Sequence, residues 1–114
     1  MTGIFELDGQ EFICLDGGAM FETTGAISIV AELDTQEELD GVWEKITDGG
    51  QAIQCGWVTD KFGVTWQINP KAFGEMMSDP SATPEQKKAL MEAMMPMVKL
   101  DIAPLKAAFE AAKQ

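Results

Sequence analysis

Reactive side chains are scarce in this chain, and that scarcity limits its chemistry. Its 114 residues include no histidine and two cysteines, Cys14 and Cys55. Without histidine, Ser-His-Asp and Cys-His catalysis, a histidine general base and every histidine-containing zinc site are excluded. Two cysteines do not complete a structural zinc site in one chain. A nucleophilic thiolate needs a cation, a helix N-terminus or a metal beside it. The sequence places none next to Cys14, so no catalytic residue is assigned. Both cysteines are read as buried free thiols, the ordinary state in a reducing compartment.

Charge narrows the partners. Eight Lys+Arg against 19 Asp+Glu give a net charge of −11. Such a surface repels phosphate backbones and anionic lipid, so neither nucleic acid nor a membrane is an expected partner. Hydrophobic residues make up 46% of the chain and charged residues 24%, enough for one packed domain. No apolar run approaches the roughly 18 residues of a membrane span. The start, Met1-Thr2-Gly3-Ile4-Phe5-Glu6, has neither the basic nor the apolar region of a signal peptide. A cytoplasmic location is expected.

The elements that must position any site follow from pattern. Ile4–Leu7 and Glu11–Leu15 flank Asp8-Gly9-Gln10, and Asp-Gly is a strong hairpin signal. Residues 19–25 read as a connection. Ala26–Leu33 reads as a strand apolar on both faces at its centre. A helix follows, with Thr35 and Glu38 at capping-box spacing and Leu39, Val42, Trp43 and Ile46 as its apolar stripe. Asp48-Gly49-Gly50 stops it. Three short strands are expected at about 51–54, 56–59 and 64–69, with Asp60-Lys61-Phe62-Gly63 as a turn. The tail is helical. A short helix runs from Pro70 to near Ser78. The next has Thr83 as its cap, Pro84 in first position, and Leu90, Met91, Met94 and Met95 inward. Asp101 caps the last, with Ile102, Leu105, Phe109 and Ala112 inward. The fold class is therefore α+β.

Three stretches together carry a resemblance. They are DTQEELDGVWEKITDGG, QCGWVTDKFGVTWQINP and SDPSATPEQKKALMEAMMPMVKLDIAPLKAAF, and the middle one, from Gln54 to Pro70, is the most specific. Together with the hairpin FELDGQEFICLDGG they resemble the PhnB-like branch of the vicinal-oxygen-chelate (glyoxalase/bleomycin-resistance) superfamily, a group that often carries a ubiquinone-methyltransferase label. The resemblance implies a fold of two βαβββ modules whose curved sheets wall a cleft. On that pattern residues 26–69 form a complete module, residues 3–15 are the last two strands of a first module, and residues 70–114 are a helical tail. The leading β-α-β portion of the first module has no counterpart in this sequence. No glycine-rich loop joins a strand to a helix as in a Rossmann unit, so the methyltransferase activity is not carried over.

Metal-dependent members of the superfamily place His, Glu or Gln on the first and last strands of each module. Aligned on those strands, this chain has Ala26, Gln67 and, on the hairpin, Cys14 at ligand positions. One methyl, one amide and one thiol do not make a catalytic metal site, which needs about three good ligands, so neither metal nor cofactor is expected. The same alignment aims Ala26, Ser28, Val30, Thr65 and Gln67 into the cleft, joined by Phe12 and Cys14 from the hairpin. Ile27, Ile29, Val64, Trp66 and Ile68 then face the helices. Trp57 lies at a bend beside Gly56 and either packs or stacks on a ligand. A mostly apolar pocket with a few hydroxyl and amide groups suits a small molecule. The leading expectation is a metal-free small-molecule binding protein without turnover. The alternatives are a lyase, isomerase or dioxygenase whose metal site is shared across a dimer, and a structural or interaction domain without ligand. A lone module leaves an apolar face and a strand edge in water, so a homodimer is expected, with hairpin 3–15 at or across the interface and the Met-rich helix at 84–95 helping to close it.

Overall fold

A computed structural model describes residues 2–18 and 22–113. Part of the connection read over residues 19–25 therefore lies outside the described residues. The chain opens with the hairpin β1 (Thr2–Leu7) and β2 (Gln10–Leu15). Its loop is only two residues long, because Gln10 belongs to the second strand. Asp8 and Gly9 both take positive φ, 48° and 82°, the mark of a type I′ turn whose twist matches the strands it joins.

A second, four-stranded sheet follows. Its strands are β3 (Ile29–Leu33), β4 (Gln51–Ala52), β5 (Trp57–Thr59) and β6 (Thr65–Pro70), with helix α1 (Gln36–Thr47) between β3 and β4. The sheet order is β3-β6-β5-β4, so β3 runs parallel to β6 and forms one edge. Such a parallel pair needs a crossover, and α1 supplies it. Thr35 caps α1 by accepting the Glu38 N–H at 3.1 Å. Gly49 takes φ 78° just past the helix end. At Gly50 a side chain would run into the carbonyl oxygens of Thr59 and Ile46, so the turn into β4 demands glycine there.

Helix α1 covers one face of this sheet. Leu39 packs with Val58 and Ile68, all fully buried, and Ala31, Leu33, Val42, Trp43, Ile46 and Trp66 close around them. Trp66 and Ile68 thus face the helix as expected. Ile27 does not. It lies outside the strand and is 80% exposed. Val64 is half-buried beneath the loop that carries Ile27 instead of under α1.

A second core belongs to α2 (Lys71–Met77), α3 (Pro84–Met94) and α4 (Ile102–Ala111). Leu90, Leu100, Leu105 and Phe109 are its buried centre. Thr83 and Gln86 complete a reciprocal capping box at the start of α3, and Asp101 caps α4 through the Ala103 N–H. The apolar face of α3 departs from expectation. Leu90 and Met94 point inward, but Met91 and Met95 are 38% and 61% exposed. The buried Gln86 takes part of their place, donating its side-chain amide to the Phe109 carbonyl at 3.2 Å and so tying α3 to α4.

The two cores are joined at defined points. The Gln36 side chain donates to the Leu100 carbonyl at 3.1 Å and accepts the Ile102 N–H at 2.7 Å. Lys99 bonds Asp40 at 2.9 Å, and together with the Gln36 amide it holds that carboxyl below its usual range. Among the described residues no helix is long and apolar enough to cross a membrane. Leu39→Ala should cost about 2–5 kcal/mol, as a buried large-to-small change does. Met91→Ala should cost under about 1 kcal/mol, as an exposed change does. Urea unfolding midpoints give the comparison, and equal losses would return Met91 to the core.

Candidate functional site

The sheet face turned away from α1 collects most of the expected site residues. Side chains alternate along a strand, and paired residues share a face. Val30 pairs with Gln67 and Gln67 with Trp57, so these three form one row across β3, β6 and β5. Thr59 and Thr65 form the neighbouring pair. Gln67 Nε2 donates to Ser28 Oγ at 2.9 Å, bringing Ser28 onto the same face although it lies just outside β3. That bond commits one amide hydrogen and leaves Gln67 Oε1 to accept and the Ser28 hydroxyl to donate. Val30 is 52% exposed, Gln67 and Trp57 are half-buried, and Thr65 is buried. The row is therefore apolar at Val30 and Trp57 with a hydrogen-bonding centre.

Trp57 owes its place to a second two-residue turn. Cys55 and Gly56 have φ 58° and 83°, and Trp57 N–H closes the turn on the Gln54 carbonyl at 3.1 Å. Ile53 N–H then donates to the Trp57 carbonyl at 2.8 Å. This register sets Ile53 opposite Trp57 on the open face, where it is 45% exposed. Ile53 is a member of the row that sequence reading missed. Alternation through Gln51-Ala52-Ile53, paired against Trp57-Val58-Thr59, carried the signal once the turn was placed.

Three expected residues stand elsewhere. Ala26 is in a turn preceding β3, where its N–H donates to Thr24 Oγ1 at 3.2 Å. The strand expected from residue 26 begins only at Ile29, because this side-chain-capped turn beside Gly25 holds the backbone out of the sheet. Cys14 is on the hairpin, exposed rather than buried, with its thiol donating to the Gly3 carbonyl at 3.5 Å. Cys55 is the other free thiol and is half-buried. Phe12 stacks on Phe5 with ring centroids 5.3 Å apart. Phe12 also reaches the sheet. With Leu7, Asp8 and Gln10 it faces Ile29, Val30, Ala31, Glu32 and Trp66 across a groove of about 630 Å³. That groove runs along the outer edge of β3. A smaller hollow of about 320 Å³ lies between Thr23, Thr24 and Ile27 on one side and Val64 and Thr65 on the other. Thr23 Oγ1 donates to the Gly63 carbonyl at 2.6 Å and holds this loop over the start of β6.

Asp60 organises the turn before β6. Its carboxylate accepts the N–H groups of Phe62 and Val64 at 2.9 and 3.0 Å and the Trp66 indole N–H at 2.9 Å. These bonds fix the phase of β6 and, with it, the direction in which Gln67 points.

The model of the family described as 3-demethylubiquinone-9 3-methyltransferase matches residues 1–69. The chain belongs to this family, that of the PhnB-like proteins. Among solved structures, the PhnB protein from Bacillus cereus is 33% identical, with a TM-score of 0.57, over 61% of this chain and 64% of that one. Protein PA1353 from Pseudomonas aeruginosa shares the fold at 19% identity and a TM-score of 0.51, over 61% and 62% of the two chains. The chain therefore spans less than two thirds of either neighbour. No curated protein matches it. Helices α2 to α4 lie beyond the stretch that the family model matches.

Opposite faces of β6 give opposite responses to truncation. Trp66→Ala removes a ring packed against α1 and takes the indole partner from Asp60 Oδ2, and should cost about 3–5 kcal/mol. Gln67→Ala on the open face should cost under about 1 kcal/mol. Reversed unfolding midpoints would show that the faces are assigned the wrong way round.

Proposed function

We propose that this PhnB-like chain is a metal-free binding protein for a small molecule, held on the open face of the four-stranded sheet and not turned over there. The observation that carries the reading is the row Val30–Gln67–Trp57, flanked by Ser28 and Thr65. It offers an aromatic ring and an aliphatic side chain on either side of one amide and one hydroxyl. Sites for small molecules have this make-up, with apolar walls for affinity and a few polar groups for orientation.

Metal chemistry fits poorly with the residues present. At the positions where the superfamily's metal ligands fall, Ala26 has no side-chain donor atom, Gln67 offers only one neutral amide oxygen, and Cys14 turns to the Gly3 carbonyl. Among the described residues no group of three His, Cys, Asp or Glu side chains stands close enough to hold an ion. The methyl transfer in the family's name finds no support in the glycines either. Gly9, Gly56 and Gly63 occupy turns between strands, and none opens a helix beneath a nucleotide. In this reading the hairpin is the remaining pair of strands of a first module, and two free thiols suit a cytoplasmic protein.

EDTA should leave the melting temperature unchanged. A drop restored by one divalent ion would overturn the metal-free reading, because metal bound only by the folded state stabilises it. A library of small aromatic and aliphatic amides and acids, screened by thermal shift, tests the binding claim. A ligand at 100 times its Kd adds about 2.7 kcal/mol. The shift should be lost in Gln67→Ala and Trp57→Ala and kept in Met91→Ala. Hits whose shift survives both face variants would move the site elsewhere.

A further inference from the structure

Oxygen acceptors border the open face of the four-stranded sheet, and the charges beside it have one sign. Alternation along β3 sets Glu32 on the same side as Val30, and Glu32 pairs with Asn69, two residues beyond Gln67 on β6. A second row, Glu32–Asn69, thus lies about 7 Å along the strands from the row Val30–Gln67–Trp57. Helix α2 closes that end. A side chain at Gly74 would come to 3.5 Å from Glu32 Oε2, so the carboxylate sits between the sheet and the helical tail. Among the described residues Glu32 has no ion-pair partner, the ion pairs there being Lys88–Glu92 and Lys99–Asp40. Lys71 opens α2 just past β6 and does not pair with it.

The surroundings are acidic as well. Asp8 and Glu32 line the groove at the outer edge of β3, Glu22 lines the hollow beside Thr65, and no lysine lines either. All eight basic residues of the chain are lysines. It therefore has no guanidinium fork with which to clasp a carboxylate or a phosphate through two bonds. A net charge of −11 adds to the local field and repels anions.

We infer that the open face takes a cation, a small primary ammonium that carries an aromatic or branched aliphatic group. Its apolar part lies against Trp57 and Val30, and its charged head lies at the Glu32 end. A primary ammonium has three N–H donors and no acceptor. The Glu32 carboxylate, the Asn69 amide oxygen and Gln67 Oε1 are three acceptors bordering that end, and Ser28 already takes one Gln67 N–H. Trp57 adds an electron-rich ring, which attracts a cation and not an anion. A carboxylate ligand in the same place would meet Glu32 with no lysine to offset the repulsion. This charge preference rests on the open face being a small-molecule site, as proposed, and deepens that reading by the class of molecule.

Three probes of similar shape separate charge from fit: phenethylamine, phenethyl alcohol and hydrocinnamate. At neutral pH, where the amine is an ammonium, calorimetric titration should rank them in that order. The ammonium should bind at least about tenfold tighter than the alcohol, as charge-assisted hydrogen bonds allow. Rising salt should weaken the ammonium and leave the alcohol unchanged. Glu32→Gln keeps the length of an exposed side chain and should erase the ammonium's advantage without changing alcohol binding. Glu44→Gln, on the outer surface of α1, makes the same change in net charge and should preserve that advantage. In amide NMR spectra the ammonium should move the side-chain signals of Gln67 and Asn69 and the indole signal of Trp57. If the alcohol binds as tightly as the ammonium, and both are lost in Trp57→Ala, the cation preference falls while the small-molecule site stands. If the advantage survives Glu32→Gln, or is lost equally in Glu44→Gln, the attraction belongs to the net charge and the preference falls again. If none of the three binds at millimolar concentration, the site and the preference fall together.

Discussion

The parallel pairing of β3 with β6 is the constraint on which the rest of the structure depends. It needs a crossover, and a twelve-residue helix supplies it while covering one face of the sheet. Once Ile29 stands opposite Trp66 and Val30 opposite Gln67, every side chain on both strands is assigned to a face. Trp66 and Ile68 go under α1, and Gln67 and Thr65 go to the open side. A slip of one residue would exchange these sets and bury the amide against Leu39. Asp60 guards against the slip. Its three hydrogen bonds hold the β6 entry turn and the Trp66 indole together, so the turn and the packed ring specify the same register.

How much of this was legible in the sequence depended on the range of the signal. Local signals gave the right elements. Asp8-Gly9 marks a type I′ turn because both positions need positive φ, and Thr83-Pro84 with Gln86 marks a helix start because each atom has one local partner. The facing of β6 was legible as well, through the family resemblance, which set Gln67 toward the cleft and Trp66 and Ile68 toward the helices. Longer-range features were less so. Ala26 and Ile27 continue the apolar pattern of β3, yet Thr24 and Gly25 turn the backbone before the sheet begins, and pattern alone does not register a side chain that caps a neighbour's N–H. On α3, periodicity admits Met91 and Met95 to the inner face as readily as Met94. The choice falls to α4, whose Phe109 carbonyl meets Gln86. Of the eight candidate binding residues, Ser28, Val30, Trp57, Thr65 and Gln67 come together on one face, Phe12 reaches its edge, and Ala26 and Cys14 do not join them.

Helices α2 to α4 lie beyond the family match yet are not an appendage. The segment connecting α3 to α4 grips the module at the turn between β4 and β5. Cys55 and Gly56, both at positive φ, donate their N–H groups to the Met97 and Val98 carbonyls at 2.8 Å each. Leu100 packs so close to Gly56 that a side chain there would meet it at 3.1 Å. A non-glycine residue in the left-handed region costs of order 1 kcal/mol or more unless its surroundings hold it, and at Cys55 the tail is what holds it. That turn fixes β5 against β4 and sets Trp57 beside Gln67. The helical extension thus reaches the open face without touching it, by stabilising the backbone that aims Trp57. Leu100 is in turn held at α1 through Gln36, so the same stretch clamps the turn and the crossover helix together. Loosening it would disturb the aromatic end of the row before it disturbed the hydrophobic core.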